Sequence, residues 1–207
     1  MNFAEYNVKD ANLEEVLLAL KSLDTVEAVA LGGSRSTGAS DENSDYDIYV
    51  YCAEIPTAET RENLLGKYCS IAEFGNHYWE SEDNTVMNNG VPVDIIYREV
   101  DRFGRYIDTV IKGGKAFNGY TTAFWHNIKN SKVLFDKTGT FTKFRDMAQI
   151  DFPENLRSAI IKNNRNLLNG KLPSYDRQIK KAQERGDIVS VNHRITAFLE
   201  SYFDVIF

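Results

Sequence analysis

Apolar and polar positions follow two periods along this 207-residue chain, and each change of period marks an element. Leu13, Val16, Leu17, Leu20 and Leu23 recur at helical spacing, with Asn12 and Glu15 placed as a capping pair, which predicts an amphipathic helix over residues 12–23. Val26 and the run 28–31 then read as a buried strand. A Gly32-Gly33-Ser34 turn and a polar segment follow, and the apolar positions around Asp45 and Asp47 predict a second strand ending near Val50. Further on, residues 58–65 read as a helix stopped by Gly66, and 67–74 as a strand. Segments 85–87 and 91–97 form a hairpin closed by Asn89-Gly90, a strong two-residue turn signal. Residues 75–83, with His77, Tyr78 and Trp79 among acidic side chains, follow neither period.

A helix over 100–111 is stopped by Gly113-Gly114, and beyond that pair the pattern is mainly helical. Helices are predicted over 121–130, 140–147, 153–168, 175–185 and from 188 to the end, with a strand over 132–135. Pro153 suits a first helical turn, and Gly170 and Gly186 suit helix stops. Because Gly113-Gly114 follows a helix and not a strand, it reads as a stop and not as a second phosphate loop. The predicted architecture is therefore α+β. A small mixed β-sheet with flanking helices occupies residues 1–112, followed by a C-terminal helical bundle domain over 113–207, with a cleft where the two meet. Ile195, Phe198, Leu199, Tyr202, Phe203, Ile206 and Phe207 give the last helix a heavy apolar face that simply stops. Two readings follow: a homodimer through the C-terminal helix, or further helices of a longer protein that bury it, and the second is favoured.

The formal net charge of −6 disfavours a broad grip on nucleic-acid phosphates but suits a small nucleotide carried with a divalent cation. Cys52 and Cys69 lack metal-type spacing and read as free thiols of a reducing compartment. Residues 1–10 lack the basic start and apolar core of a targeting sequence, and no apolar run reaches membrane-spanning length. The expectation is a cytoplasmic protein without a membrane partner.

The chemistry concentrates in residues 29–50. Glycines after a buried strand let the backbone turn tightly and bring bare N–H groups up to an anion. A helix starting near Ser34 would add its positive end. On a strand, residues two apart face the same side at about 6.6 Å between Cα atoms. Asp45 and Asp47 therefore share one space, where two carboxylates about 5 Å apart at an effective dielectric near 20 repel by roughly 3 kcal/mol. A divalent cation removes that cost, and hard oxygen ligands of this kind suit Mg²⁺.

Gly32-Gly33-Ser34 followed by Asp45-Tyr46-Asp47 resembles the signature of the nucleotidyltransferase superfamily related to DNA polymerase β, in its small bacterial branch of aminoglycoside- and lincosamide-type enzymes. The resemblance covers residues 26–97 and is specific there; beyond Arg98 it is one of general helical character. It implies a third carboxylate on a later strand, and Asp94, in an apolar run after Asn88-Asn89-Gly90, fits. It further implies two Mg²⁺ ions held by Asp45, Asp47 and Asp94, with Asp94 a metal ligand or the general base. Gly32, Gly33, Ser34 and Arg35 would bind the nucleotide, Arg35 being equally able to point to solvent. The implied reaction moves a nucleoside monophosphate, AMP from ATP or the equivalent from another NTP, to a hydroxyl of a small-molecule acceptor, releasing pyrophosphate. An aminoglycoside-like antibiotic is the acceptor suggested, which the acidic run 80–83 could favour. Alternatives are a non-catalytic nucleotide-binding or regulatory module, and an antitoxin-type enzyme acting on a protein partner.

Asp41, Glu42 and Ser44 read as turn formers. His77 and His126, beside aromatics, read as packed core or groove residues, and His193 as a candidate to face the cleft. Lys162, Lys180, Lys181 and Arg194 are the candidate cations of the helical half.

Overall fold

A computed structural model describes residues 10–206 of the chain. Residues 1–9 and Phe207, on which the expectations from the sequence also bear, lie outside the described residues. The elements in order are α1 (Ala11–Lys21), β1 (Val26–Leu31), α2 (Gly33–Thr37), β2 (Tyr46–Cys52), α3 (Ala58–Leu65), β3 (Cys69–Asn76), β4 (Ser81–Met87), β5 (Pro92–Glu99), α4 (Val100–Ile111), α5 (Ala123–Asn130), β6 (Lys132–Asp136), α6 (Thr140–Ala148), α7 (Glu154–Leu168), α8 (Tyr175–Glu184) and α9 (Ile188–Ile206). The expected α+β class holds: a mixed sheet with flanking helices, and a helical region toward the C-terminus.

The sheet runs β3-β4-β5-β2-β1-β6. β2 and β5 are parallel, and the other neighbouring pairs are antiparallel. One face carries Val29, Leu31, Ile48, Val50, Val93, Ile95 and Tyr97, and packs with Leu13, Val16, Leu17 and Leu20 of α1 into the main core. Each such Leu or Val side chain stabilises the fold by about 1.5–3 kcal/mol through burial. Because side chains alternate along a strand, Asp47, Tyr49 and Tyr51 of β2 and Asp94, Ile96 and Arg98 of β5 take the opposite face. Toward β1 that second face is closed by aromatics, with Tyr51 centred 5.4 Å from Phe103 and 5.1 Å from Phe141.

The N-cap of α1 is Asp10 and not the expected Asn12: its carboxylate accepts from the Asn12 and Leu13 amides at 3.0 and 3.3 Å. An aspartate one residue before the helix reaches the unpaired first-turn N–H groups, which a residue already inside the helix cannot do. The unassigned residues 75–83 become the end of β3, a connection, and the start of β4.

By compactness the chain forms two units. One runs to Arg105 and takes in Asn127–Asp146, so β6 joins the sheet beside β1; the other comprises Tyr106–His126 and the chain from Met147. In the second unit Asp204 of α9 is buried and accepts from the Thr122 amide and hydroxyl (3.1 and 3.2 Å) and from Asn164 Nδ2 (3.2 Å). The side of α9 turned inward is thus the one with Ser201 and Asp204, while Ile195, Leu199, Tyr202, Phe203 and Ile206 are exposed. Among the described residues no helix is long and apolar enough to cross a membrane.

Candidate active site

Gly32 leaves β1 in extended conformation and starts α2, and its amide donates to the Asp47 carbonyl at 2.8 Å, clipping the turn to β2. Gly33 has φ +58, in the left-handed region that favours glycine. A Cβ there would overlap Asp47 Oδ2 and stand 2.7 Å from Cγ. The Asp47 carboxyl therefore lies directly over the bare Gly33 backbone. Gly33→Ala is expected to cost about 1–2 kcal/mol for the left-handed backbone. The displacement of Asp47 should lower any activity of the site by about 10²-fold or more. Urea unfolding and a pyrophosphate-release assay check the two effects separately.

Asp94 is the register partner of Asp47 on the parallel neighbour β5, and Asp45 stands one residue before β2. The three predicted carboxylates are thus brought to the same end of the β2–β5 pair. Burial, then the charges of Asp45 and Asp94, push the Asp47 carboxyl above its ordinary value. On the other side of Asp94, Asn84 of β4 is in register and donates Nδ2 to Asp94 Oδ1 at 2.9 Å, and Asn76 Nδ2 donates to Asn84 Oδ1 at 2.7 Å. This amide relay holds one oxygen of Asp94, and it carried no motif by which sequence could single it out.

Among the described residues no three His, Cys, Asp or Glu side chains are gathered closely enough to form a cation site by themselves. Mg²⁺ typically takes one or two protein carboxylates and completes its shell with water and substrate phosphate oxygens. Asp47, set among like charges beside the first turn of α2, whose leading N–H groups have no intrahelical partner, fits that partial role.

Ser34 is half-buried in the first turn of α2. Arg35 is neither free nor turned to solvent: Nε donates to the Ser44 and Asp45 carbonyls at 3.0 and 2.9 Å, and the guanidinium lies 4.1 Å from the Tyr46 ring centre. It ties α2 to the loop that delivers Asp45. Asp41 and Ser44 form the expected turn, the Ser44 hydroxyl donating to Asp41 at 2.9 Å. Lys132 of β6, which motif reading passed over, donates to the Arg35 carbonyl at 3.3 Å and is a cation near this turn.

His77 and His126 are exposed, against the expectation of packed residues. His77 sits in the β3–β4 connection, where Tyr78 and Trp79 also face outward, and His126 lies on α5 next to Trp125, which takes the buried position. His193 is exposed as well. The acidic run 80–83 is divided by strand alternation. Glu80 pairs with Arg98 at 2.7 Å, Asp83 is buried on the opposite face against Arg61 at 3.3 Å, and Glu82 remains on the Asp94 side.

The model of the nucleotidyltransferase domain family matches residues 13–117, which is half of the chain and includes the turn and all three carboxylates. The chain belongs to the nucleotidyltransferase domain family. No curated protein matches it by sequence. Among solved structures it is similar to a nucleotidyltransferase-like protein from Exiguobacterium sibiricum 255-15, at 11% identity and a TM-score of 0.39, covering 90% of this chain and 51% of that one. It thus spans about half the length of that protein. It is also similar to the CD-NTase CdnG of Bradyrhizobium diazoefficiens, solved in complex with GTP, at 12% identity and a TM-score of 0.34, covering 99% and 86%.

Proposed function

We propose that the protein transfers a nucleoside monophosphate from a nucleoside triphosphate, ATP first among the candidates, to a hydroxyl of a small-molecule acceptor, releasing pyrophosphate. The observation that carries this reading is the Asp47 carboxyl lying over the open Gly33 backbone with Asp94 in register beside it. The amides of Gly33 and Ser34, in the first turn of α2, would take the β- and γ-phosphates, the Ser34 hydroxyl adding a donor, while the Gly32 amide stays on the Asp47 carbonyl and Arg35 orders the loop that carries Asp45. Asp94, with Oδ1 held by Asn84, keeps its other oxygen to accept the proton of the acceptor hydroxyl. The acceptor oxygen then bonds to the α-phosphorus, and the bond from that phosphorus to the bridging oxygen breaks, its electron pair leaving with pyrophosphate. Asp47, with Asp45 just ahead of it, would hold Mg²⁺ together with water and phosphate oxygens, and the ion when bound would neutralise the developing charge on the phosphates.

The acidic support for an amine-rich acceptor such as an aminoglycoside is thinner than the run 80–83 suggests, since Glu80 and Asp83 are ion-paired. Glu82 and the exposed Glu73 are what remains of it. The free thiols Cys52 and Cys69 are in keeping with a cytoplasmic setting.

Calorimetry with Mg²⁺ and ATP or GTP, set beside pyrophosphate release under a panel of hydroxyl-bearing acceptors, tests the reading. Binding with acceptor-dependent release is the result expected; binding without release under any acceptor would favour a regulatory module, and release only with a protein partner an antitoxin-type enzyme.

A stability measurement reports on Asp47 independently. Its folded-state value is raised, so the proton is bound more tightly in the folded chain. Its contribution is therefore fully present at pH below the unfolded value and is lost as pH rises through the folded one. Mg²⁺ binds the ionised form, so added Mg²⁺ should raise Tm little at acid pH and increasingly toward neutral pH. Thermal scans from pH 4 to 8 with and without Mg²⁺ check this, and Asp47→Asn should flatten the Mg²⁺ response.

A further inference from the structure

We infer that Arg98 is a positioning residue for the phosphate turn, acting on Gly32 through Tyr49 and Asn127. This rests on the nucleotidyltransferase reading of that turn. Arg98 lies on the same strand and face as Asp94, four residues on, and is almost wholly buried. Its Nε and Nη2 donate to Glu80 Oε1 and Oε2 at 2.8 and 2.7 Å, a bidentate pair that fixes the plane of the guanidinium. From that plane Nη1 donates to Asn127 Oδ1 at 3.1 Å and to the Tyr51 hydroxyl at 3.2 Å. The face of the group stacks on Tyr49, 4.3 Å from its ring centre, and on Phe103 at 4.7 Å.

Two of these partners reach the turn. A Cβ on Gly32 would overlap the edge of the Tyr49 ring and stand 3.1 Å from Asn127 Nδ2. The backbone of Gly32 is therefore seated on a ring and an amide that Arg98 holds from behind. Accepting from Arg98 through Oδ1 also sets which way the Asn127 amide faces, directing its NH₂ toward Gly32. A hydrophobic residue at 98 would fill part of the volume but release both, and a lysine would keep the charge without the planar fork.

Five proteins separate this role from simple packing: wild type, Arg98→Met, Asn127→Ala, the double variant of these two, and Phe103→Leu. The first readout is hydrogen exchange of residues 29–37 in the nucleotide-free protein, where the Gly32 amide is bonded to the Asp47 carbonyl. The second is calorimetric affinity for Mg²⁺ with ATP and with GTP. Arg98→Met and Asn127→Ala should each speed exchange at the turn and weaken nucleotide binding by about tenfold, as loss of an outer-shell partner does. The double variant should be no worse than either alone, since both act through one contact. Phe103→Leu removes packing from the other side of Arg98 and should lower stability while leaving exchange at the turn and affinity as in wild type. Unchanged turn exchange in Arg98→Met would overturn the inference, as would additive effects or an equal change in Phe103→Leu. A wild type that binds neither nucleotide while Arg98→Met still loosens the turn would instead sink the nucleotide reading and leave the positioning role standing.

Discussion

Asp47→Asn should abolish nucleotidyl transfer while leaving a folded protein. The substitution keeps size and removes the charge that, with Asp45 and Asp94, makes the site attractive to a divalent cation. Metal-assisted stabilisation of transition-state charge supplies several kcal/mol, and at 1.4 kcal/mol per decade its loss corresponds to at least about 10³-fold in rate. Because the like-charge repulsion is relieved too, the metal-free variant should be as stable as wild type or more so. Pyrophosphate release and urea unfolding measure the two effects, and a variant that keeps Mg²⁺-dependent transfer within tenfold of wild type would refute the assignment. Asp94→Asn should also lose transfer, but with nucleotide binding better preserved, because Asp94 is given the acceptor's proton.

The largest effect on stability is expected far from that chemistry, at Arg61. Its side chain is 2% exposed on α3, and it meets the fully buried Asp83 of β4 at 3.3 Å on the α1 side of the sheet. It also stacks on Tyr97 at 4.4 Å, and Asp83 takes a further hydrogen bond from the Gly75 amide at 2.9 Å. Burial nevertheless holds the Asp83 carboxyl above its ordinary value, the Gly75 bond and the Arg61 charge only partly offsetting it. Arg61→Met leaves that carboxylate in the interior without its counter-charge, which should cost about 3–5 kcal/mol. The raised value would rise further, so the deficit should be largest at neutral pH and shrink as pH falls and Asp83 takes up a proton. Urea unfolding at pH 5 and pH 7.5 checks the sign, and adding Asp83→Asn to Arg61→Met should recover part of the loss. A deficit independent of pH would mean that packing, and not the stranded charge, is responsible.

The legible parts of the site were those made from neighbours in sequence. The strand, glycine turn, short helix and carboxylate strand over residues 29–50 lie within one β-α-β run, where each residue's role follows from backbone geometry. Asp94 was reachable because its strand announces itself with Asn89-Gly90 and because the resemblance asks for a third carboxylate. Arg98 was not, since a single arginine at a strand end has no pattern. Its role comes from Glu80, Asn127 and Tyr49, which lie on three other segments. The run Glu80 to Asp83 misled for a related reason: four adjacent residues look like one acidic patch, but a strand sends alternate side chains to opposite faces, and an arginine waits on each. At α9 the apolar stripe is visible in the sequence, yet the chain's own packing uses the side with Ser201 and Asp204.

By itself, then, the sequence determined that residues 29–50 hold a glycine turn followed by a strand that carries Asp47, with Asp45 just ahead of it, because periodicity and φ preference are local properties. Only the tertiary structure decided that Asp47 rests on Gly33, that Asp94 lies in register with it and is held by Asn84, and that a strand from residues 132–136 pairs with β1. Those are matters of register and burial between segments far apart in the chain, as with Val29 and Phe135, and such contacts exist only once hydrophobic packing has chosen the order of the strands.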